Sequence, residues 1–276
     1  MAVSSAIQKF TTEIPFHRGI MNEQLLIPVG HRGGDGDIEN TIGALAAAHA
    51  AGFLFAEVDI TSTKDLVPVL FHGNSDTRKV IRKLNYDELN KRKVYKRIGF
   101  SGSSKKNPIP RLVDALDTFP DLRFFLDLKD DLVSEPVAEV IKDLKAYGQV
   151  SIDGDSWKRT RNTYNALPKH LRSDVALTIG PLGLAALFGE TKKLPGYKVL
   201  KKRYLKSATN CSLPLRMGPL KTIDGSMVEI AHDLEIPVFV HRVRDKADVD
   251  RAARIGAKGV MIDRLDLMDH PAVAKF

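Results

Sequence analysis

The sequence predicts an α/β protein with a parallel sheet, and three observations carry that expectation. Short apolar runs alternate with stretches of helical length almost to the C-terminus, which is the pattern of strands joined by crossover helices. The chain has 276 residues, 43% of them hydrophobic and 28% charged, enough for one large core and about the size of a single α/β barrel. The first clear strand ends in His31 and Arg32, and glycines follow at 33, 34 and 36. A base and a guanidinium thus stand at the C-terminal tip of a strand, where α/β barrels carry their chemistry.

Taken in order, residues 1–23 show no strong period and read as a lead-in strap. The run 25–29 is brief, apolar and followed by glycine, so it reads as a buried strand. Residues 41–51 form an alanine-rich helix, with Asn40 or Thr41 as cap and Gly52 as stop. His49 on this helix reads as a packing or exposed residue. Strands follow at 53–60 and 67–71, the second ending in His72. The link from Asp59 to Val67 is too short for a crossover helix. It must either span the barrel as an extended segment or break the regular β/α order. Residues 74–110 are polar, basic and rich in Ser, Gly and Pro, with a short helix at 86–97. They read as an insertion over the barrel mouth.

The alternation then resumes. Helices are expected at 112–119, 134–147 (Ser134 capping, Gly148 stopping), 156–166, 224–234 and 247–255, with a basic helical stretch at 181–206. Strands are expected at 123–128, 150–153, 175–179, 209–213, 237–243 and 259–263. That is more than the eight a closed barrel needs, so 150–153 or 209–213 is expected to be the irregular extra.

Glu57 and Asp59 are two residues apart on an apolar strand, so both point to one face. Two carboxylates facing one way repel unless a cation or basic groups lie between them, which points to a metal or active-site role over a solvent-facing edge. Asp127 and Lys129 repeat the spacing, as a site pair or a simple salt bridge. A second strand-end histidine, His72, matches His31 in position.

Lysine and arginine number 42 against 34 acids, a net charge of +8. The basic clusters at 78–97, 105–106 and 192–206 read either as solvated faces or as a field for anionic substrates and an anionic membrane surface. They lack interleaved aromatics, so no nucleic-acid partner is expected. One cysteine, Cys211, permits no disulfide framework within the chain. No apolar run reaches the length of a membrane span, no signal peptide is evident, and a cytoplasmic location is expected.

The motifs, in order, are His31-Arg32-Gly33, Glu39-Asn40-Thr41, Glu57-Val58-Asp59, Thr63-Lys64-Asp65, Val69-Leu70-Phe71-His72 and Asp127-Leu128-Lys129. Together with the closing run GAKGVMIDR at 256–264, this order resembles the glycerophosphodiester phosphodiesterase family, over about residues 27–266. The resemblance implies a TIM (β/α)8 barrel of the PLC-like phosphodiesterase type, residues 1–276 forming one domain. It implies metal-dependent hydrolysis of glycerophosphodiesters to glycerol 3-phosphate and an alcohol. In that reading Glu57, Asp59 and Asp127 hold Mg²⁺ or Ca²⁺, His31 and His72 are the general acid and base, and Arg32 and Lys129 grip the phosphate. Simple chemistry agrees: carboxylate oxygens suit a hard cation, and a poor alkoxide leaving group needs a proton donor opposite a proton acceptor. The alternatives are a lysophospholipase D-like enzyme on lysolipids at a membrane surface and a non-catalytic phosphodiester-binding barrel.

Four departures from the family pattern stand out. Asp127 replaces a Glu, Ile38 a Pro, and Gly73 an Asp. The strand resembling W-T-V-N reads His241-Arg242-Val243-Arg244. Glu39, His241, Arg242 and Arg244 are therefore candidate substrate-pocket residues. The two arginines either face the mouth, favouring a substrate with extra negative charge or an unusual head group, or point outward to acids such as Asp245.

Overall fold

The computed structural model describes residues 14–19, 24–91, 107–179, 181–196, 198, 199, 208–217, 220, 221 and 223–276. Its strands are β1 (Ile27–His31), β2 (Phe55–Ser62), β3 (Pro68–Leu70), β4 (Arg123–Leu128), β5 (Val150–Asp153), β6 (Ala176–Leu177), β7 (Cys211–Pro214), β8 (Arg216–Met217), β9 (Leu220–Lys221), β10 (Val238–Val243) and β11 (Gly259–Ile262). Its helices are α1 (Ile42–Ala50), α2 (Ser75–Ile81), α3 (Tyr86–Leu89), α4 (Leu112–Thr118), α5 (Ser134–Asp143), α6 (Trp157–Ala166), α7 (Pro181–Thr191), α8 (Gly225–Asp233) and α9 (Lys246–Arg254).

Eight strands run parallel in the order β6-β5-β4-β2-β1-β11-β10-β7. An isolated parallel bridge between Thr178 and Asn210 brings the two end strands together. Side chains reinforce that seam: the Thr178 hydroxyl donates to Asn210 Oδ1 at 2.5 Å, and Asn210 Nδ2 donates to Ser151 Oγ at 2.9 Å. The ring is a TIM-type barrel, as expected.

The surplus strand is not where the sequence placed it. Both 150–153 and 209–213 correspond to barrel strands, β5 and β7. The extra is β3, which pairs antiparallel with β2 at Ile60–Leu70. The short link after Asp59 is thus a hairpin, turned by Leu66 at φ +62° and by the Thr63 N–H donating to the Val67 carbonyl. A small hairpin, β8–β9, was not anticipated. Helix α5 ends four residues early because Lys145 takes the left-handed conformation (φ +54°) and the Ala146 N–H closes onto Ile141. Its first residue is Ser134, whose hydroxyl donates to the Arg159 carbonyl instead of capping.

Helix α1 runs as expected, with Thr41 Oγ1 accepting from the Ala44 N–H and Gly52 at φ +88°. Within 74–110, residues 92–106 lie outside the described ones, so the basic pair Lys105-Lys106 and the second half of the helix expected at 86–97 do too. The described part packs Ile81, Leu89 and Ile109 with Val69 and Phe71 into a small satellite core. No helix among the described residues is long and apolar enough to cross a membrane.

Inside the barrel the inward residues stack in layers. Phe55, Phe125 and Phe239 fill the layer below the mouth. Phe16, carried by the 3-10 turn Pro15–His17, packs edge-on to Phe55 and Phe125 with centroids 5.4 and 5.2 Å apart. The Arg123 guanidinium binds the Phe16 carbonyl at 2.9 Å and locks this plug in place. His17 is buried beside it, and its Nε2 has no hydrogen-bond partner among the described residues.

Burial and the Arg123 charge push the His17 pKa down to about 4. The unfolded chain therefore binds a proton near pH 6.5 that the native state refuses, and stability falls as pH drops from 6.5 towards 4. The loss is on the order of 3 kcal/mol at pH 4. Thermal unfolding of wild type and His17→Gln, compared at pH 7.5 and 5, is expected to show a smaller acid shift in the variant. Equal shifts would remove His17 as a cause.

Candidate active site

Strand register decides which side chains meet. His31 lies beside Glu57, and Asp59, Asp127 and Asp153 occupy matched positions on β2, β4 and β5. Because alternate residues face inward, Phe55, Glu57 and Asp59 share the inner face of β2, the last two at the mouth. There they line a cavity of about 420 Å³ together with His31, His72 and Lys129.

Asp59 is the hub of the site. It is 1% exposed. Asn40 clamps it from both sides: Asn40 Nδ2 donates to Asp59 Oδ2 at 2.9 Å, and the Asp59 N–H donates to Asn40 Oδ1 at 3.0 Å. Arg32 Nε lies 3.1 Å from Oδ2, and Lys129 Nζ 3.0 Å from Oδ1. Burial would raise the carboxyl pKa, but Lys129, Arg32 and the Asn40 hydrogen bond together hold it below the usual range.

Glu57 receives less help. It accepts the Arg32 N–H at 3.1 Å, and His31 Nε2 stands 3.7 Å away. Burial and the Asp59 charge push its pKa up to about 8. Asp127 is raised as well, by burial first, although Lys129 binds its Oδ2. Its Oδ1 is buried without a hydrogen-bond partner among the described residues. Glu57, Asp59 and Asp127 each offer an oxygen, and the three lie within 4.8 Å of one another. An orphaned oxygen and an all-oxygen donor set suit a hard divalent cation, and the shorter Asp127 reaches the other two.

The turn after β1 brings the glycines into play. Arg32 itself sits at φ +55° and Gly33 at φ +86°. A Cβ on Gly33 would stand 2.8 Å from the Ala44 Cβ, so only glycine lets α1 pack this close. The Arg32 guanidinium is held by Glu39 at 2.9 Å as well as by Asp59.

The two histidines differ. Asp263 accepts from His31 Nδ1 at 2.5 Å, which turns Nε2 towards Glu57 and the cavity. Burial alone would lower the His31 pKa; the Asp263 hydrogen bond and the Glu57 and Asp263 charges raise it instead. The His72 pKa is lowered, by burial and then by Arg32 and Lys129 against the pull of Asp59. His241 also lines the cavity, its pKa pushed down to about 4 by burial and by the charges of His31 and Arg242.

Of the remaining pocket candidates, Arg242 lines the cavity and Arg244 does not. Arg244 is exposed, with its backbone N–H bound by Asp248. Glu39 contributes through Arg32.

The model of the glycerophosphoryl diester phosphodiesterase family matches residues 17–267. The chain belongs to this family. It is accordingly a hydrolase acting on phosphodiesters. A Mycobacterium tuberculosis protein named probable glycerophosphodiester phosphodiesterase 2 is 27% identical over 237 residues, 86% of each chain. Among solved structures, a glycerophosphoryl diester phosphodiesterase domain from the same organism superposes with a TM-score of 0.65 at 19% identity, covering 87% of this chain and 96% of that one. An Oleispira antarctica phosphodiesterase, solved with the product sn-glycerol-3-phosphate, gives 0.64 at 17%, covering 89% and 96%. These likenesses extend the barrel fold across the family.

Four residues of this family member's mouth escaped sequence reading. Asp263 orients His31 from 232 positions away. Its signal was present: it follows the inward Met261 by two residues. Asn40 stood in the Glu39-Asn40-Thr41 motif with no role given beyond that of a helix cap, yet it holds Asp59. Asp153 and Asp155 extend the acidic wall beyond Asp127, and burial with the Asp127 charge pushes the Asp153 pKa up to about 7.

Proposed function

We propose that this family member hydrolyses glycerophosphodiesters to glycerol 3-phosphate and an alcohol, with His31 and His72 sharing the proton transfers. The carrying observation is the convergence of both histidines, Arg32, Lys129 and three carboxylates in one cavity at the C-terminal mouth of the barrel. Glu57, Asp59 and Asp127 would hold a divalent cation, Mg²⁺ or Ca²⁺, which when bound supplies positive charge to the phosphate oxygens. Arg32 offers a planar fork to the phosphate and Lys129 a point charge. Both are tied to Asp59, so their positions are set before substrate arrives. One histidine accepts the proton of the attacker, which is either water or the neighbouring glycerol hydroxyl (giving a cyclic phosphate that water then opens), and the other gives a proton to the departing alkoxide. Asp263 fixes the ring and tautomer of His31 for its part.

The test is release of glycerol 3-phosphate from glycerophosphocholine, glycerophosphoethanolamine and glycerophosphoinositol, and of lysophosphatidic acid from lysolipids, each with Mg²⁺, Ca²⁺ or EDTA. Cation-dependent release that EDTA abolishes is the expected result. Undiminished turnover in EDTA would defeat the cation's part, and no turnover on any diester would defeat the reaction. Lysolipids belong in the panel because Ile179 and Leu184 give the cavity an apolar side.

A further inference from the structure

Arg242 stands apart from the other cations of the cavity. Arg32 is bound to Glu39 and Asp59, and Lys129 to Asp59 and Asp127. Arg242 lines the cavity, is exposed, and its guanidinium has no ion-pair or hydrogen-bond partner among the described residues. Three acids on the loop and helix that follow β10 and at the tip of β11 are already engaged. Asp245 caps α9, Asp248 binds Arg216, and Asp263 binds His31.

The backbone brings Arg242 inward deliberately. In a regular strand His241 and Arg242 would face opposite sides. Here the pairing of β10 with β11 shifts register between Val240 and Val243, and Arg242 adopts φ +62°. A bulge of this kind re-aims a side chain, and both residues reach the cavity. A non-glycine residue takes that φ at a cost. In the ring of eight strands β10 lies four places from β4 in either direction. Arg242 therefore faces Asp127 and Lys129 across the mouth.

We propose that Arg242 selects diesters whose alcohol carries a second anionic group, a carboxylate or a phosphate. The phosphodiester lies against Lys129 and Arg32, and the second anion reaches the free guanidinium on the opposite wall. This rests on the hydrolytic reading of the same site.

Glycerophosphoethanolamine and glycerophosphoserine differ only by a carboxylate. Glycerophosphoglycerol and its terminal phosphate ester differ only by a phosphate. The wild-type enzyme is expected to favour one or both anionic members by about tenfold in kcat/KM, the scale of one charge-assisted contact. The pair that shows the preference identifies the anion. Arg242→Gly should erase it without lowering Tm, since glycine suits the left-handed φ, and Arg242→Lys should retain part of it. Affinities of the same four compounds, measured by calorimetry with Ca²⁺, provide a readout independent of turnover. An affinity ratio that depends on Arg242 supports the proposal even if no diester is hydrolysed, an outcome that would defeat the hydrolytic reading alone. No preference in either pair, or equal losses for both members in Arg242→Gly, overturns it.

Discussion

Alanine at His31 or at His72 is expected to lower kcat on glycerophosphodiesters by about 10²–10⁴-fold, the usual contribution of a positioned acid or base. Both rings border the cavity that holds Lys129 and the three carboxylates. Nothing else there replaces them easily: His241 lines the same cavity, but its proton affinity is pushed down to about 4. The double variant should lose little beyond the worse single one, because two groups serving one transition state are not additive. The two substitutions should differ in a second respect. His31→Ala strips Asp263 of its partner and Glu57 of its nearest imidazole, so calorimetric cation affinity should change with it. His72→Ala should leave that affinity near wild type. Wild-type kcat in both single variants would end the two-histidine mechanism.

Asp130→Ala is expected to cost about 3–5 kcal/mol and to lower Tm by on the order of 10 °C. Asp130 is 5% exposed. It accepts from the Ser62 N–H at 2.9 Å, the Leu132 N–H at 2.9 Å, the Thr61 hydroxyl at 3.2 Å and the Ser62 hydroxyl at 3.1 Å. Removing the carboxylate leaves the buried Ser62 N–H and the buried Thr61 and Ser62 hydroxyls without this acceptor, at about 1–3 kcal/mol for each group left unpaired, and strips the Leu132 N–H of its cap. These bonds tie the end of β2 to the segment directly after Lys129, so activity should fall as the Lys129 ammonium loses its fixed place. Asp130→Asn keeps one acceptor oxygen and should lose less than half as much in thermal or urea unfolding. A Tm within 2–3 °C of wild type in the alanine variant, about what 1 kcal/mol moves, would refute this account.

What could be read from the chain, and what could not, divides along a physical line. The i, i+2 spacing of Glu57 and Asp59 was legible because alternation along a strand is fixed by backbone geometry, and the structure puts both at the mouth. The same holds for the strand tips at His31 and Asp127. Contacts set by register between distant strands left no local trace, so the bond of His31 to Asp263 and the placing of Asp153 beside Asp127 emerged only on folding. Strand order suffered likewise. The 67–71 run reads as a strand in either direction, and only the length of the preceding link hinted that β3 turns back on β2. The fates of Arg242 and Arg244 were undecidable from sequence, since a bulge that reverses one side chain depends on how β10 meets β11. Helix α5 was overestimated because a lysine, not the expected Gly148, takes the left-handed stop.

The seam between β6 and β7 has a consequence for how the barrel fails. Elsewhere neighbouring strands share ladders, whereas here, among the described residues, one bridge with the backbone bonds Thr209 N–H to Leu177 and Ile179 N–H to Asn210, and the Ser151, Thr178, Thr209 and Asn210 side chains, hold two edges together. The fold is in that respect a curled ribbon fastened by a clasp. Local opening is least costly at the clasp, and it exposes two strand edges that can pair with another chain. The residues of chemistry on β1, β2 and β4 sit in the body of the ribbon, away from both free edges. A barrel unclasped at this point keeps β1, β2 and β4 paired with one another while it presents edges open to another chain.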